Sequence, residues 1–404
     1  MLNIEGTVTD SKTDTDFGPP LVRRGFRPFF LGAGIFAVIS MAAWMAVFVL
    51  GKPVLFTGMN AYQWHAHEMF FGYTMAVVAG FLLTAIQNWT GISLLRGKPL
   101  AVLFLLWLLA RILPFSHSAV PLELIAVIDV GFMLMLTLIC LRPVIKVRQY
   151  KQVGIISKLF LLVLCNVVFY LGVLGILEEG VAWGLYSALY IIIGLVLVMM
   201  RRVMPMFIKN SVDGEVSIRN HGWLDNASLV LLVVLWLSDV FTGLDQLTAL
   251  LAAVLALLHT IRLAGWYTSK IWTKPLVWIL VLAYGFIIAG FLLKALSIYI
   301  GISPSLSLHS YTVGGIGLVT LGMMSRVSLG HTGRNVFDPP PVLGWIFLAL
   351  LAGAVVRVFF PLFNMELYQY WIAISQILWI VAFAAFSILY APMFLSGRVD
   401  GRDG

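Results

Sequence analysis

Apolar residues in this chain neither alternate nor keep to one helical face. They run almost unbroken between short polar connections, and each run approaches the roughly 20 residues that span a bilayer as a helix. Twelve such runs are read, at roughly 28–50, 66–87, 99–115, 119–141, 156–177, 183–205, 223–241, 245–262, 275–298, 305–326, 342–363 and 368–393. The pattern predicts an all-α fold, a polytopic transmembrane helix bundle of about 12 spans, with no room for a separate soluble domain. Residues 1–22 are polar with no apolar core, so they read as a disordered N-terminal tail rather than a cleaved signal peptide. Residues 23–395 form the membrane domain, and 396–404 a short C-terminal tail.

Composition sharpens this reading. Of 404 residues 61% are hydrophobic and 11% charged, where a soluble domain carries about 25% charged residues. The net charge of +8 would suggest nucleic acid if it were spread over a soluble surface. With the N-terminus placed in the cytoplasm, 22 of the 26 Lys and Arg fall on the cytoplasmic side, and only Lys52, Arg111, Lys294 and Arg357 on or near the other. That asymmetry is an insertion signal, puts both termini in the cytoplasm and excludes nucleic acid as the partner; the partner it implies is the lipid bilayer. Arg111, Lys294 and Arg357 are expected to snorkel outward, with Glu123, Asp129 and Glu366 as acidic neighbours within reach. Cys140 and Cys165 lie in separate apolar runs without CxxC spacing, and imply neither a disulfide framework nor a thiolate site.

The chemistry rests on histidine. All seven histidines lie in or beside a span, and the densest group is Trp64-His65-Ala66-His67-Glu68 at the mouth of span two. Imidazole and carboxylate are expensive at the edge of hydrocarbon, so a function is the default expectation, and neutral imidazole is the commonest ligand for transition metals and haem iron. His65, His67, His117 and His309 fall toward the outer face; His221, His259 and His331 fall toward the cytoplasm. His309 and His331 are 22 residues apart in one span, about 33 Å at 1.5 Å per residue, and cannot share a metal. Spans two and ten also repeat a spacing, His67-x4-Gly72-x7-Gly80 and His309-x4-Gly314-x7-Gly322. Axial imidazoles from two helices with small residues beneath suit a flat macrocycle, so His67 and His309 are the expected haem ligands. His65 points about 200° away from His67 if both are helical. Either His65 precedes the helix in extended backbone, or it serves a second centre with Glu68 or His117 beside it. His117 and His221, in polar turns, read as structural.

The cytoplasmic layer differs in kind. Ser325-Arg326 through His331-Thr332-Gly333-Arg334 closes span ten with two guanidiniums and an imidazole, and Arg201-Arg202 lies near the end of span six on the same side. Arginine forks suit carboxylates, phosphates or the surroundings of a quinone, so a second site is expected here, with His331 first and His259 second as ligands.

Taken together, Arg27-Pro28-Phe29-Phe30, Trp64 to Met69, Gly80 to Ala85, Asn88-Trp89-Thr90-Gly91, Arg202-Val203-Met204-Pro205-Met206-Phe207 and Leu321 to Arg334 resemble the NnrS family, from about residue 23 to the last span. These are bacterial inner-membrane proteins of the nitric-oxide response that contain haem and copper. The resemblance implies one or two haem b groups, copper, and nitric oxide as ligand or substrate. The matched positions are His65, His67, Glu68, His309 and His331, with Arg27, Arg202, Arg326 and Arg334 on the cofactor side. The chain departs from the family pattern at Val281, where histidine is frequent. The expected role is a metal-dependent oxidoreductase resembling nitric oxide reductases, with quinol as candidate electron donor and relief of nitrosative stress as its setting. Two rivals stand beside it: a secondary transporter, since twelve spans with both ends inside is also a transporter layout, and a copper carrier, which predicts copper without haem. Against the transporter, the connection Asn88 to Lys98 holds no acidic residue, and Asp129 is almost alone as a carboxylate deep in a span.

Overall fold

The computed structural model describes residues 18–402 apart from Ser118, Asp213 and Glu215. Most of the predicted disordered tail, residues 1–17, lies outside the described residues. Among the described residues twelve helices are long and apolar enough to cross a membrane: α1 Phe26–Phe48, α2 Ala61–Thr90, α3 Lys98–Phe115, α4 Leu122–Lys146, α5 Tyr150–Val173, α6 Gly180–Ser211, α7 Gly222–Thr242, α8 Asp245–Trp266, α9 Pro275–Ile300, α10 Pro304–His331, α11 Val342–Phe363 and α12 Tyr368–Leu395. The fold is the all-α polytopic bundle that the apolar runs predict, span for span.

One difference bears on the histidines: α2 starts at Ala61, five residues before its apolar run. Asn60 Oδ1 accepts from the Gln63 amide (2.9 Å) and Gln63 Oε1 accepts from the Asn60 amide (3.0 Å), a capping box that nucleates the helix in polar sequence. His65 is therefore helical, which removes the extended-backbone alternative.

Sequence neighbours pack as antiparallel pairs, α5 on α6, α8 on α9 and α11 on α12, while α12 returns onto α1 and closes the bundle. Burial is uneven. The most apolar stretches of α2 and α10 are 78% and 83% buried, against 33% for α3 and α7, so the two central helices are the ones that carry His65, His67 and His309. Both are locally unwound into π-helix just after those histidines, at Glu68–Thr74 and Ser310–Gly317. A π segment displaces the side chains beyond it, is rare, and is frequent at functional sites. Hydrogen bonds to neighbouring helices hold both stretches: Trp107 Nε1 of α3 donates to the Gly72 carbonyl (3.0 Å), and Ser310 Oγ donates to the Phe286 carbonyl on α9 (2.7 Å). Tyr73 and Thr320 join α2 to α10 by a buried hydroxyl pair at 2.6 Å.

An even number of crossings puts the start of α1 and the end of α12 at one face, which is also where Arg201, Arg202, Arg262 and Arg398 lie; this is the basic face. Arg27 caps the last helix there, donating to the carbonyls of Phe394 (2.9 Å) and Ser396 (2.6 Å). The C-terminal tail folds back beside His331, with the Val399 amide on the Thr332 carbonyl (3.2 Å). In that tail the Arg398 guanidinium holds the Asp400 carboxyl well below the usual carboxylate range (2.5 Å).

Candidate functional site

A cavity of about 480 Å³ opens between α2 and α10, walled on its sides by α1, α6, α11 and α12. That is the size class of cofactor and ligand sites. Its lining is mainly aromatic and aliphatic, and the polar residues in it include His65, His309, Arg357, Gln376, Ser305 and Tyr368.

The two imidazoles are held differently. His309 Nδ1 lies 2.7 Å from the Ser305 carbonyl, one helical turn back. A carbonyl only accepts, so Nδ1 carries the proton and Nε2 presents a lone pair. Arg357 Nη2 stands 3.2 Å from that Nε2 and 3.1 Å from Ser305 Oγ. Its guanidinium lies over Tyr368, 5.2 Å from the ring centroid. His65 is positioned by stacking on Trp44, centroids 4.5 Å apart and 7° from parallel. Its Nδ1 is buried without a partner, as are Arg357 Nη1 and Gln376 Oε1. Three orphaned polar atoms around one apolar cavity mark a place built for a polar ligand, because a buried polar group left alone is costly.

His67 faces the other side of α2 and does not line the cavity. Its Nδ1 lies 3.1 Å from Glu68 Oε1, and its Nε2 3.1 Å from Asp129 Oδ2 and 3.0 Å from Asn166 Oδ1. Every neighbour is an acceptor, the arrangement of a ring protonated at both nitrogens. Arg111 bridges the carboxylates, with Nη1 on Glu68 Oε2 (2.5 Å) and Nη2 on Asp129 Oδ1. Asn166 Nδ2 and Tyr170 OH then donate to Asp129 Oδ2, at 2.9 and 3.3 Å. Four helices meet in this network, which carries two cations and two carboxylates when His67 is protonated. Gly72 is required by it: a Cβ there would collide with Glu68 Oε2 and lie 2.7 Å from Arg111 Nη1.

Several expectations change. The structure pairs His309 with His65 at one cavity rather than with His67, since both nitrogens of His67 are engaged. The repeated glycines do not leave room beneath a ring: Phe286 fills the space at Gly314, Phe30 that at Gly80, and Ile279 with Leu280 that at Gly322. Close helix packing accounts for them. Arg111 and Arg357 do not snorkel; they are 2% and 6% exposed. Lys294 pairs with Asp239 (2.5 Å), a partner the sequence reading did not consider.

On the basic face the predicted residues do not converge. His259 Nδ1 accepts from Arg262 Nη1 (3.1 Å) beside Tyr284 OH (2.6 Å), leaving the proton on a buried Nε2 without a partner. His331 packs on the Phe26 ring (5.6 Å). Arg202 donates to Gln152 Oε1 (2.7 Å), and Arg326 lies over Phe207 (3.9 Å to the centroid). Arg334 Nη1 is buried without a partner. His117 and His221 are exposed, at a turn and at the start of α7. Among the described residues no three His, Cys, Asp or Glu side chains gather as a metal-ligating group. Gln376 and Asn166 were not singled out in the sequence, although a carboxamide inside an apolar run was the signal.

Fold and site together define a polytopic helical membrane protein with two imidazoles on a central, mostly apolar cavity. The family model described as NnrS protein matches residues 20–398, nearly the whole described chain. The chain belongs to the NnrS family, and is by that membership a membrane protein of the nitric-oxide response. No curated protein matches it significantly.

Proposed function

We propose that this chain holds a haem b in the cavity between α2 and α10 and there binds nitric oxide in a redox role, within the bacterial inner membrane. The observation that carries the reading is the pair of imidazoles, His65 and His309, on facing central helices at one cavity, with His65 Nδ1, Arg357 Nη1 and Gln376 Oε1 of its lining residues left without partners. The residues fit the group: imidazoles for iron, an apolar enclosure for the macrocycle, and the free Nη1 of Arg357 for a propionate carboxylate. When bound, the group supplies an iron that takes up nitric oxide and exchanges an electron.

The chain's own part is to orient and to exclude water. The Ser305 carbonyl fixes the tautomer of His309 so that Nε2, beside Arg357 Nη2, carries the lone pair that would bind iron, as outer partners of metal-bound histidine do. His65 has only its stack on Trp44, so of the two imidazoles it would hold the iron less firmly. Copper has less support, because among the described residues no three-ligand group assembles.

One observation favours a second reading, an ion-coupled transporter: the network of Glu68, Asp129, Arg111 and His67 is fully enclosed at membrane depth. Spectra separate the two. Oxidised and dithionite-reduced protein, purified in detergent, is expected to show a haem α-band that shifts with nitric oxide, is lost in His65→Ala and His309→Ala, and survives in His67→Gln and His331→Ala. No haem in wild type expressed under haem-replete conditions would overturn the reading and leave transport in front.

A further inference from the structure

A second cavity, of about 230 Å³, opens at the basic face between the ends of α5, α6, α7 and α8. Four cations line it, Lys158, Arg201, Arg202 and Arg262, against one carboxylate, Asp225. The carboxylate is already shared: Arg262 Nη2 takes Oδ1 at 2.9 Å, and Arg201 Nε takes Oδ2 at 2.5 Å. Lys158 and Arg202 are held in place by neutral oxygens instead. Lys158 Nζ donates to the Gly154 carbonyl (3.0 Å); Arg202 donates to Gln152 Oε1 (2.7 Å) and to the Lys151 carbonyl (3.1 Å). Hydrogen bonds to neutral groups fix a cation without cancelling its charge, so the lining carries a formal excess of three.

An insertion signal needs basic residues in connections, free in water. Here they lie within helices, converge on one concavity and are fixed around it. Leu197, Val198 and Leu229 continue the same wall into hydrocarbon. We propose that this cavity binds a phosphate group, with Lys158 and Arg202 as the uncompensated cations and Arg201 and Arg262 completing the cradle. The apolar wall fits the headgroup of an anionic phospholipid, and basic pockets between membrane helices take such headgroups. Free phosphate presents the same chemistry.

The full chain, reconstituted in phosphatidylcholine nanodiscs with or without phosphatidylglycerol, gives the test, read by native mass spectrometry and by melting temperature. Wild type is expected to retain phosphatidylglycerol through gentle delipidation and to melt higher with it. Lys158→Gln/Arg202→Gln is expected to lose about tenfold or more of that retention. Arg142→Gln/Lys146→Gln, which removes two exposed charges at the same face, is expected to keep it. If the double variant does not fold, Lys158→Gln alone carries the comparison, because its ammonium holds only the Gly154 carbonyl. Stabilisation by millimolar inorganic phosphate in pure phosphatidylcholine, absent from the variant, would assign the site to free phosphate. Phosphatidylglycerol retention untouched by inorganic phosphate would assign it to lipid. If neither ligand distinguishes wild type from the variant, the cavity is not a phosphate site. Haem content is irrelevant to each arm, so this outcome is independent of the role proposed for the larger cavity.

Discussion

His65 and His67 stand two residues apart on α2 and face opposite sides of it, and the two sides are built on opposite principles. Around His67 the donors and acceptors close on one another: imidazole, carboxylates, guanidinium and carboxamide satisfy nearly every lone pair and proton without help. Around His65 they do not, and an imidazole nitrogen, a guanidinium nitrogen and a carboxamide oxygen of residues lining an apolar cavity are left buried without partners. A closed network rigidifies the junction of α2 to α5. An open set is the mark of a site whose missing partner comes from outside the chain. Intramembrane polarity alone does not single out a ligand site; what does is polarity that the protein leaves unsatisfied.

Breaking the closed side has the largest expected effect. Asp129→Ala leaves the Arg111 guanidinium with one carboxylate and strips His67 Nε2 of its anion, at a cost of about 3–5 kcal/mol for a broken buried pair. The expected outcome is little monodisperse protein on size exclusion and a melting temperature far below wild type. A variant as stable as wild type would mean that the network does not hold the helices together. Gly72→Ala acts at the same place by volume. Its methyl group must displace the Glu68–Arg111 pair, at about 1–3 kcal/mol for overpacking, and a thermal melt reads it directly.

The open side is expected to respond in the reverse manner. Arg357→Met removes a cation with an unpartnered Nη1 whose other contacts, through Nη2 to His309 and Ser305 Oγ and over the Tyr368 ring, are all to neutral groups. Stability should change little, while retention of a carboxylate-bearing macrocycle falls about tenfold, the equivalent of ~1.4 kcal/mol. Haem-to-protein ratio after extended washing is the readout. Equal loss of stability in Arg357→Met and Asp129→Ala would erase the distinction between the two sides.

How much of this was legible in the sequence follows from range. The twelve spans were, because a run of apolar residues is a local property and the bilayer fixes its length. The helical state of His65 was equally local: Asn60-x-x-Gln63 is a capping box in plain view, and reading it would have set His65 and His67 on opposite faces at once. The closed network was legible only in part: Asp129 stood among the acidic neighbours expected within reach of Arg111, and the two do pair, but the network's members come from four helices and nothing in His67 or Asn166 alone names Asp129 as partner. The glycine spacing misled for the opposite reason. It is a true regularity, but glycine vacates volume for whatever packs next, and at Gly314 that is Phe286 of α9. The π segments were also hidden, because nothing local in those stretches announces an unwound turn; it is stabilised through partners on other helices, Trp107 of α3 and the α9 carbonyl that meets Ser310.

The smallest effect tests whether the two sides communicate. Tyr73 lines the open cavity and follows the closed network along α2, and its hydroxyl meets Thr320 of α10 at 2.6 Å. Tyr73→Phe keeps the ring and deletes that bond, and interhelical hydrogen bonds in membranes are worth about 0.6 kcal/mol on average. The melting temperature should therefore fall by only a few degrees at most. If the bond also fixes the spacing of α2 and α10, and with it that of His65 and His309, the haem of Tyr73→Phe should show a broadened or shifted α-band at nearly unchanged stability. A spectrum identical to wild type would mean that the cavity's width is set by packing against α9 and α12, with the hydroxyl pair only filling a polar need between two buried helices.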